Sequence, residues 1–308
     1  MTQYILKRFI SMIVTLFVII TLTFFLMHAV PGGPFASEKQ LPPEVEKALL
    51  EKYHLNDPLW KQYVDYLGGI LRFDLGPSFK YKGLTVNELI VKGFPVSGKI
   101  GLFSILAILG VGIPLGIIAA LKQNRWEDTA VRFLATMGIT IPSFVLATIL
   151  LYVFSLKLDI LPSFGLESWQ GYILPVIALS GYSISFVARL TRSSLLEVFR
   201  QDYMTMARAK GLSETKILFK HGLKNALIPI VTVLGPLTAG LLTGSFVIEK
   251  IFALPGMGGH FVNGISNRDY TVIMGITIFY AAFLLIMIFI VDLIYGLLDP
   301  RIKLGERS

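Results

Sequence analysis

Six stretches of this chain are each long and apolar enough to cross a bilayer, and that leaves few folds open. They run at about residues 9–30, 100–121, 130–156, 172–190, 228–248 and 272–298. A helix rising 1.5 Å per residue needs roughly 20 such residues to span a hydrocarbon layer about 30 Å thick. The fourth is diluted by Pro175 and several Gly and Ser residues, but its neighbours on both sides require a crossing there. The first follows MTQYILKR, which looks like the start of a signal peptide, yet MHAVPGG offers no A-x-A cleavage site, so an uncleaved anchor is expected. With 54% apolar and 16% charged residues, against about a quarter charged in ordinary globular chains, the expectation is an all-α integral membrane protein.

The net charge of +8 raises the question of nucleic acid, and its placement answers it. An even number of spans puts both termini on one side. That side carries 15 Lys and Arg against 7 Asp and Glu, whereas the other carries 12 of each. The excess is cytoplasmic by the positive-inside rule, so nucleic-acid binding loses its support. Both termini are expected in the cytoplasm.

The resulting division is a cytoplasmic tip and first helix (1–30), an external helical subdomain (31–99), a five-helix core (100–298) with a cytoplasmic loop at about 191–228, and a cytoplasmic tail (299–308). Within 31–99, LPPEVEKALLEKYHL opens on prolines and repeats Val45, Leu49, Leu50 and Tyr53 at helical spacing. PLWKQYVDYLGGIL does the same and ends at glycines. This subdomain either caps the span ends or docks an external partner.

Several chemistries are excluded. The chain has no cysteine, so disulfides, thiolate metal sites and cysteine nucleophiles are absent. His28, His54, His221 and His260 show no metal-ligand spacing. GFPVSGKI (93–100) fits seven positions of a phosphate-binding loop, but Ile100 stands where a Mg²⁺-binding hydroxyl is needed, and no strand precedes it. Intramembrane proteolysis lacks its nucleophile turn around Ser245 and its aspartate pair, since Asp292 stands alone in the sixth stretch.

The segment ARAKGLSETKILFKHGLKNALIP (207–229) carries five Lys or Arg against one Glu. It reads as two short helices. Asp202 is placed to cap the first, Gly211 to end it in a left-handed turn, and Ser213 to cap the second. Tyr203, Met204 and Ala207 form an apolar face while Arg208 and Lys210 point elsewhere. On composition alone, a cationic helix lying on lipid headgroups reads as well as a protein contact.

Here the chain resembles the permease subunits of binding-protein-dependent ABC importers, specifically the peptide/nickel group. That group's motif A-R/K-A-K-G-L followed by H-x-x-x-N-A-L-x-P is matched by Ala207 to Leu212, His221 and Asn225 to Pro229. Of the wider E-A-A-x-x-x-G pattern, Ala207, Gly211 and the downstream Leu223 agree, while Thr205 and Met206 depart. Further strings agree along the chain: AVPGGPF (29–35), DLGPSFKYKG (74–83), IPSF (141–144), GSFVIEKIFALPGMG (244–258), NRDYTV (267–272) and LLDPRIK (297–303).

The resemblance implies a six-span permease of a bacterial plasma membrane whose loop docks in a groove of a cytoplasmic ATPase. Tyr203, Ala207, Arg208, Ala209, Lys210, Gly211, Leu212 and His221 would form that coupling site. It also implies two ATPase subunits that use ATP and Mg²⁺, a second homologous permease subunit as heterodimer partner, an extracytoplasmic peptide-binding protein and a peptide substrate. This chain would hold no cofactor. GPSFKYKG points to oligopeptides; dipeptides, glutathione and nickel are the alternatives within the same machine.

Gly and Pro interrupt the spans at GVGIPLG (110–116), GITIPSF (138–144), Pro175 and LGPLTAGLLTG (234–244), where a transporter would flex. Gly240 and Gly244 offer a small-residue face for this chain or a partner subunit. Glu249 is a candidate for the pathway or for a cap on backbone amides. Asp292 is expected to pair with Arg189 or Arg192. A secondary transporter would ordinarily need more spans and more buried ionisable groups.

Overall fold

The computed structural model describes residues 2–35 and 42–298. The expected tail 299–308 and the strip 36–41 lie outside the described residues. Among the described residues every named element is helical. Five helices are long and apolar enough to cross a membrane, and a bent pair makes a sixth crossing if counted as one span.

Helix α1 (Thr2–Ala29) is the first crossing. Outside it, α2 (Pro43–Lys52) and α3 (Leu59–Leu71) start behind Pro42 and Pro58, as the periodicity predicted. Proline at a helix start gives up only an N–H that has no partner in the helix. Helix α4 (Val86–Ala107) begins at Val86 rather than near 100. Its start is fixed by a reciprocal cap: Glu88 N–H donates to Thr85 Oγ1 (3.2 Å), and Thr85 N–H donates to Glu88 Oε2 (3.1 Å). Residues 86–99, expected in the external subdomain, are therefore the first turns of the second helix. The phosphate-loop lookalike is helical throughout.

The interruptions resolve in different ways. Ahead of Pro114 a π-turn, Ile108–Gly112, joins α4 to α5 (Ile113–Leu121). The extra residue absorbs the hydrogen bond that proline cannot make. The third span is bent by 103° between α6 (Trp126–Thr140) and α7 (Ser143–Leu150), the latter continued by a π-turn, Leu151–Lys157. Ile141 takes an extended conformation before Pro142, as a residue preceding proline must. The fourth span, α8 (Ile173–Phe199), is unbroken. Pro175 sits in its first turn, where it costs nothing, so the expected interruption there is absent.

Beyond α8 come α9 (Asp202–Ala209), α10 (Glu214–Lys216), a π-turn Ile217–Gly222 and α11 (Leu223–Ala226). The fifth span is α12 (Ile228–Leu242), followed by α13 (Phe246–Ile251) and α14 (Met257–Asn267); α15 (Tyr270–Leu298) completes the bundle.

Helix α8 is the hub. In its most apolar window 44% of residues are buried, against 11% for α1. Around it the core is layered: Ile100, Ala147, Leu174, Ala178 and Phe252 near one end, Ile108, Val187, Ile230 and Leu241 in the middle, and Ala120, Leu195, Leu218 and Leu223 near the other. Helices α4 and α12 touch backbone to backbone at Gly101, where a Cβ would overlap the Leu241 carbonyl.

Candidate functional site

Two groups of polar residues stand out, one at each end of the bundle. At the end of α8 nearest the basic segment, the chain turns into α9. Met204, Ala207 and Ile217 are buried there against Val198, Phe199 and Leu212. Leu218, Leu223 and Ala226 pack with Leu195 of α8 and Ala120 of α5. The segment is therefore fastened to the foot of the hub helix.

Gly211 holds φ +71°, a region that L-residues avoid. A Cβ there would meet no atom within 4 Å, so conformation and not space requires glycine. Its N–H donates to the Arg208 carbonyl (2.9 Å). Ser213 Oγ accepts from Lys216 N–H (3.4 Å), as expected of a cap. Asp202 does not cap α9: the position before the helix is Gln201, with no side-chain bond, and Asp202 is a first-turn acid.

Of the residues singled out in the sequence, Ala207 is buried, Leu212 and His221 are half-buried, and Tyr203, Arg208, Ala209, Lys210 and Gly211 are exposed. The Tyr203 hydroxyl accepts from Asn225 Nδ2 (2.8 Å), tying α9 to α11. Arg208 pairs with Glu214 across the turn (3.3 Å). Two residues escaped sequence reasoning: Met206 (59% exposed) and Phe219 (63% exposed) are apolar side chains standing among the basic ones. The available signal was a large apolar residue close before a basic one, Met206 before Arg208 and Phe219 before Lys220.

Beside this segment Asp128, fully buried in α6, receives two bonds from Arg192 of α8 (2.6 and 2.8 Å), one from Asn124 N–H (3.0 Å), and approaches Arg132 (3.5 Å). Arg192 is thus committed to Asp128 and does not pair with Asp292. Asp292 lies 3.3 Å from Arg8 of α1 instead. Helices α1 and α15 are neighbours, as the edge contact of Phe9 with Phe289 (6.3 Å) also shows.

At the opposite end, Glu249 is a cap. Only 3% exposed, its carboxylate accepts from Ser97 Oγ (2.7 Å) and Gly259 N–H (3.3 Å), while Ser97 Oγ accepts from Met257 N–H (2.9 Å). The orphan amides at the start of α14 are satisfied this way, and α13, α14 and α4 are joined. Burial lowers the pKa of the nearby His260 below its ordinary value, so at neutral pH that imidazole adds no charge beside Glu249.

A second acid, Asp269, is fully buried. It accepts from the Ser78 hydroxyl, from the N–H groups of Phe79 and Lys80 (both 3.1 Å) and from Thr271 Oγ1 (2.9 Å). It pins the loop before α4 to the start of α15. Beside Gly244 opens a cavity of about 370 Å³ lined by Gly240, Thr243, Phe246, Met257, Phe261 and Tyr280, among others. Among the described residues a Cβ at Gly240 would meet no atom within 4 Å, whereas one at Gly244, past the end of α12 at φ +97°, would overlap Glu249 and Ser97, so only Gly244 is closely approached within this chain.

Comparison with known proteins agrees with this architecture. A family model described as "Binding-protein-dependent transport system inner membrane component" matches residues 112–304. A model for the N-terminal part of such membrane components matches residues 1–96. The chain is 51% identical to the dipeptide transport system permease protein DppB of Bacillus subtilis over the full length of both. It is 46% identical to the oligopeptide transport system permease protein OppB of Salmonella typhimurium, over 98% of this chain and 100% of that one. A chain of the inward-facing MetNI methionine ABC transporter superposes with a TM-score of 0.57 at 19% identity, covering 68% of this chain and 96% of its own, which establishes the shared fold. This multi-pass chain belongs to the family of binding-protein-dependent transport system inner membrane components.

Proposed function

We propose that the chain is the peptide-translocating permease subunit of an ATP-driven importer, with α9 and its Gly211 turn as the contact for a separate ATPase. Peptides are the substrate class shared by the names of its dipeptide and oligopeptide relatives. The complex would contain a second homologous permease, two ATPases that bind ATP and Mg²⁺, and an external binding protein that selects peptide length. This chain would hold no cofactor and catalyse no reaction. The termini and α9 would face the cytoplasm, where the surplus of Lys and Arg lies.

The observation that carries this reading is the combination of exposure and anchorage in one short segment. Ala209, Lys210 and Gly211 are open to a partner, while Met204 and Ala207, on the same two turns, are packed onto the foot of α8. Force applied at the turn would pass into the most buried helix of the bundle. A helix lying on lipid needs neither the left-handed glycine nor that buried face.

The chain has no native cysteine, so Ala209→Cys gives a unique thiol. In the assembled complex it should crosslink to a thiol placed in the ATPase groove. Absence of capture in both the nucleotide-free and the ATP-bound complex would remove the assignment.

A further inference from the structure

We infer that α3 is an interfacial helix whose free face rests in the lipid leaflet opposite the basic segment. One side of α3 is docked on α1: Tyr63 shares a hydrogen bond with Thr21 (2.6 Å), Gln62 lies 3.2 Å from His28, and Tyr66 stacks near Phe24 (5.7 Å). Among the described residues, most of the remaining apolar side is uncovered. Trp60, Val64 and Leu71 are 67%, 57% and 82% exposed, and Phe73 just beyond the helix is 87% exposed. At 100° per residue the first three fall within about 40° of arc. Lys61 and Asp65 stand away from them, roughly 100° and 140° around from Trp60.

Depth identifies what covers this stripe. Thr21 lies eight residues inside the outer end of α1 at Ala29, about 12 Å along the helix axis. A helix bonded at that level sits within the bilayer's boundary zone and not above it. The stripe is also continuous with lipid-facing surface. Tyr63 touches Phe25 (5.4 Å), and Phe25, Leu22 and Leu26 are all exposed on α1, the least buried of the spans. The local composition is that of a membrane interface, where Trp and Tyr gather: Tyr63, Tyr66 and Tyr270 cluster around Phe24, and Trp60 stands exposed on the same helix. An apolar stripe flanked by a charged arc is the pattern of a helix lying in the plane of the membrane.

The cysteine-free sequence makes the test direct. Val64→Cys, Leu71→Cys and Asp65→Cys, each carrying a nitroxide, are placed in the full-length chain within its assembled transporter and reconstituted into phosphatidylethanolamine/phosphatidylglycerol vesicles. Collision with oxygen, which partitions into lipid, is compared with collision with an aqueous nickel chelate. Labels at 64 and 71 should favour oxygen and the label at 65 the chelate, a reversal within one turn. If 64 and 71 favour the chelate, the stripe faces water and is open to a soluble partner. If neither reagent reaches them, protein covers it. Either result overturns the lipid assignment. The outcome is independent of the coupling proposal, which concerns the other end of the molecule.

Discussion

Two regions of the molecule, the pair of acids Glu249 and Asp269 and the turn around Gly211, are built on opposite principles. In the first, two buried carboxylates each tie separate parts of the chain together: Glu249 accepts from Ser97 and Gly259, and Asp269 from Ser78, Phe79 and Lys80. In the second, the exposed turn around Gly211 carries the ion pair of Arg208 with Glu214, both open to solvent, while the buried Asp128–Arg192 pair lies in the bundle beside it. A buried carboxylate is expensive unless it is fully bonded, and once bonded its neighbours depend on it. An exposed pair contributes little. Damage to Glu249 or Asp269 should therefore be read as lost stability, and damage at the Gly211 turn as lost work.

This contrast orders four variants. Asp269→Ala strands the Ser78 hydroxyl and the Phe79 amide, while the Lys80 amide keeps Ser78 Oγ as acceptor; at about 1–3 kcal/mol per unsatisfied donor, the loss should exceed roughly 2 kcal/mol and appear as a lowered melting temperature in detergent. Glu249→Gln keeps the shape of the cap but brings an amide NH₂ among groups that donate to it, and should cost about 1–3 kcal/mol by the same measurement. Gly211→Asp places a side chain at φ +71°, a strain of roughly 1 kcal/mol. Its membrane level should stay near normal while peptide uptake is lost and ATP hydrolysis continues; normal uptake would erase the contrast. Arg208→Ala should shift stability by no more than about 0.5 kcal/mol, and a larger loss would mean that the Gly211 turn bears structural load after all.

What could be read from the sequence was whatever is written locally. Span positions follow from runs of apolar residues, the left-handed turn from Gly211, the Ser213 cap from its place before a helix, and the external helices from prolines and spacing. Partnerships across the chain were not readable. Ser78 and Asp269 lie 191 residues apart and Asp128 and Arg192 lie 64 apart, and nothing near either member names the other. Asp292 shows the failure clearly. Its need for a cation was correctly inferred from its apolar surroundings, but the choice of Arg189 or Arg192 assumed that the sixth span meets the fourth at that level. The packing of the last helix on the first supplied Arg8 instead. Pro175 failed for a local reason: whether proline breaks a helix or starts one depends on a boundary that a diluted apolar run leaves blurred.

That packing of the first helix on the last has an engineering corollary. Arg8 with Asp292 and Phe9 with Phe289 bring the beginning and the end of the described chain alongside each other, so the order in which the helices are threaded is separable from how they are stacked. A gene that opens in the loop between α2 and α3 and bridges the old ends with a flexible tether would encode the same staves in rotated sequence.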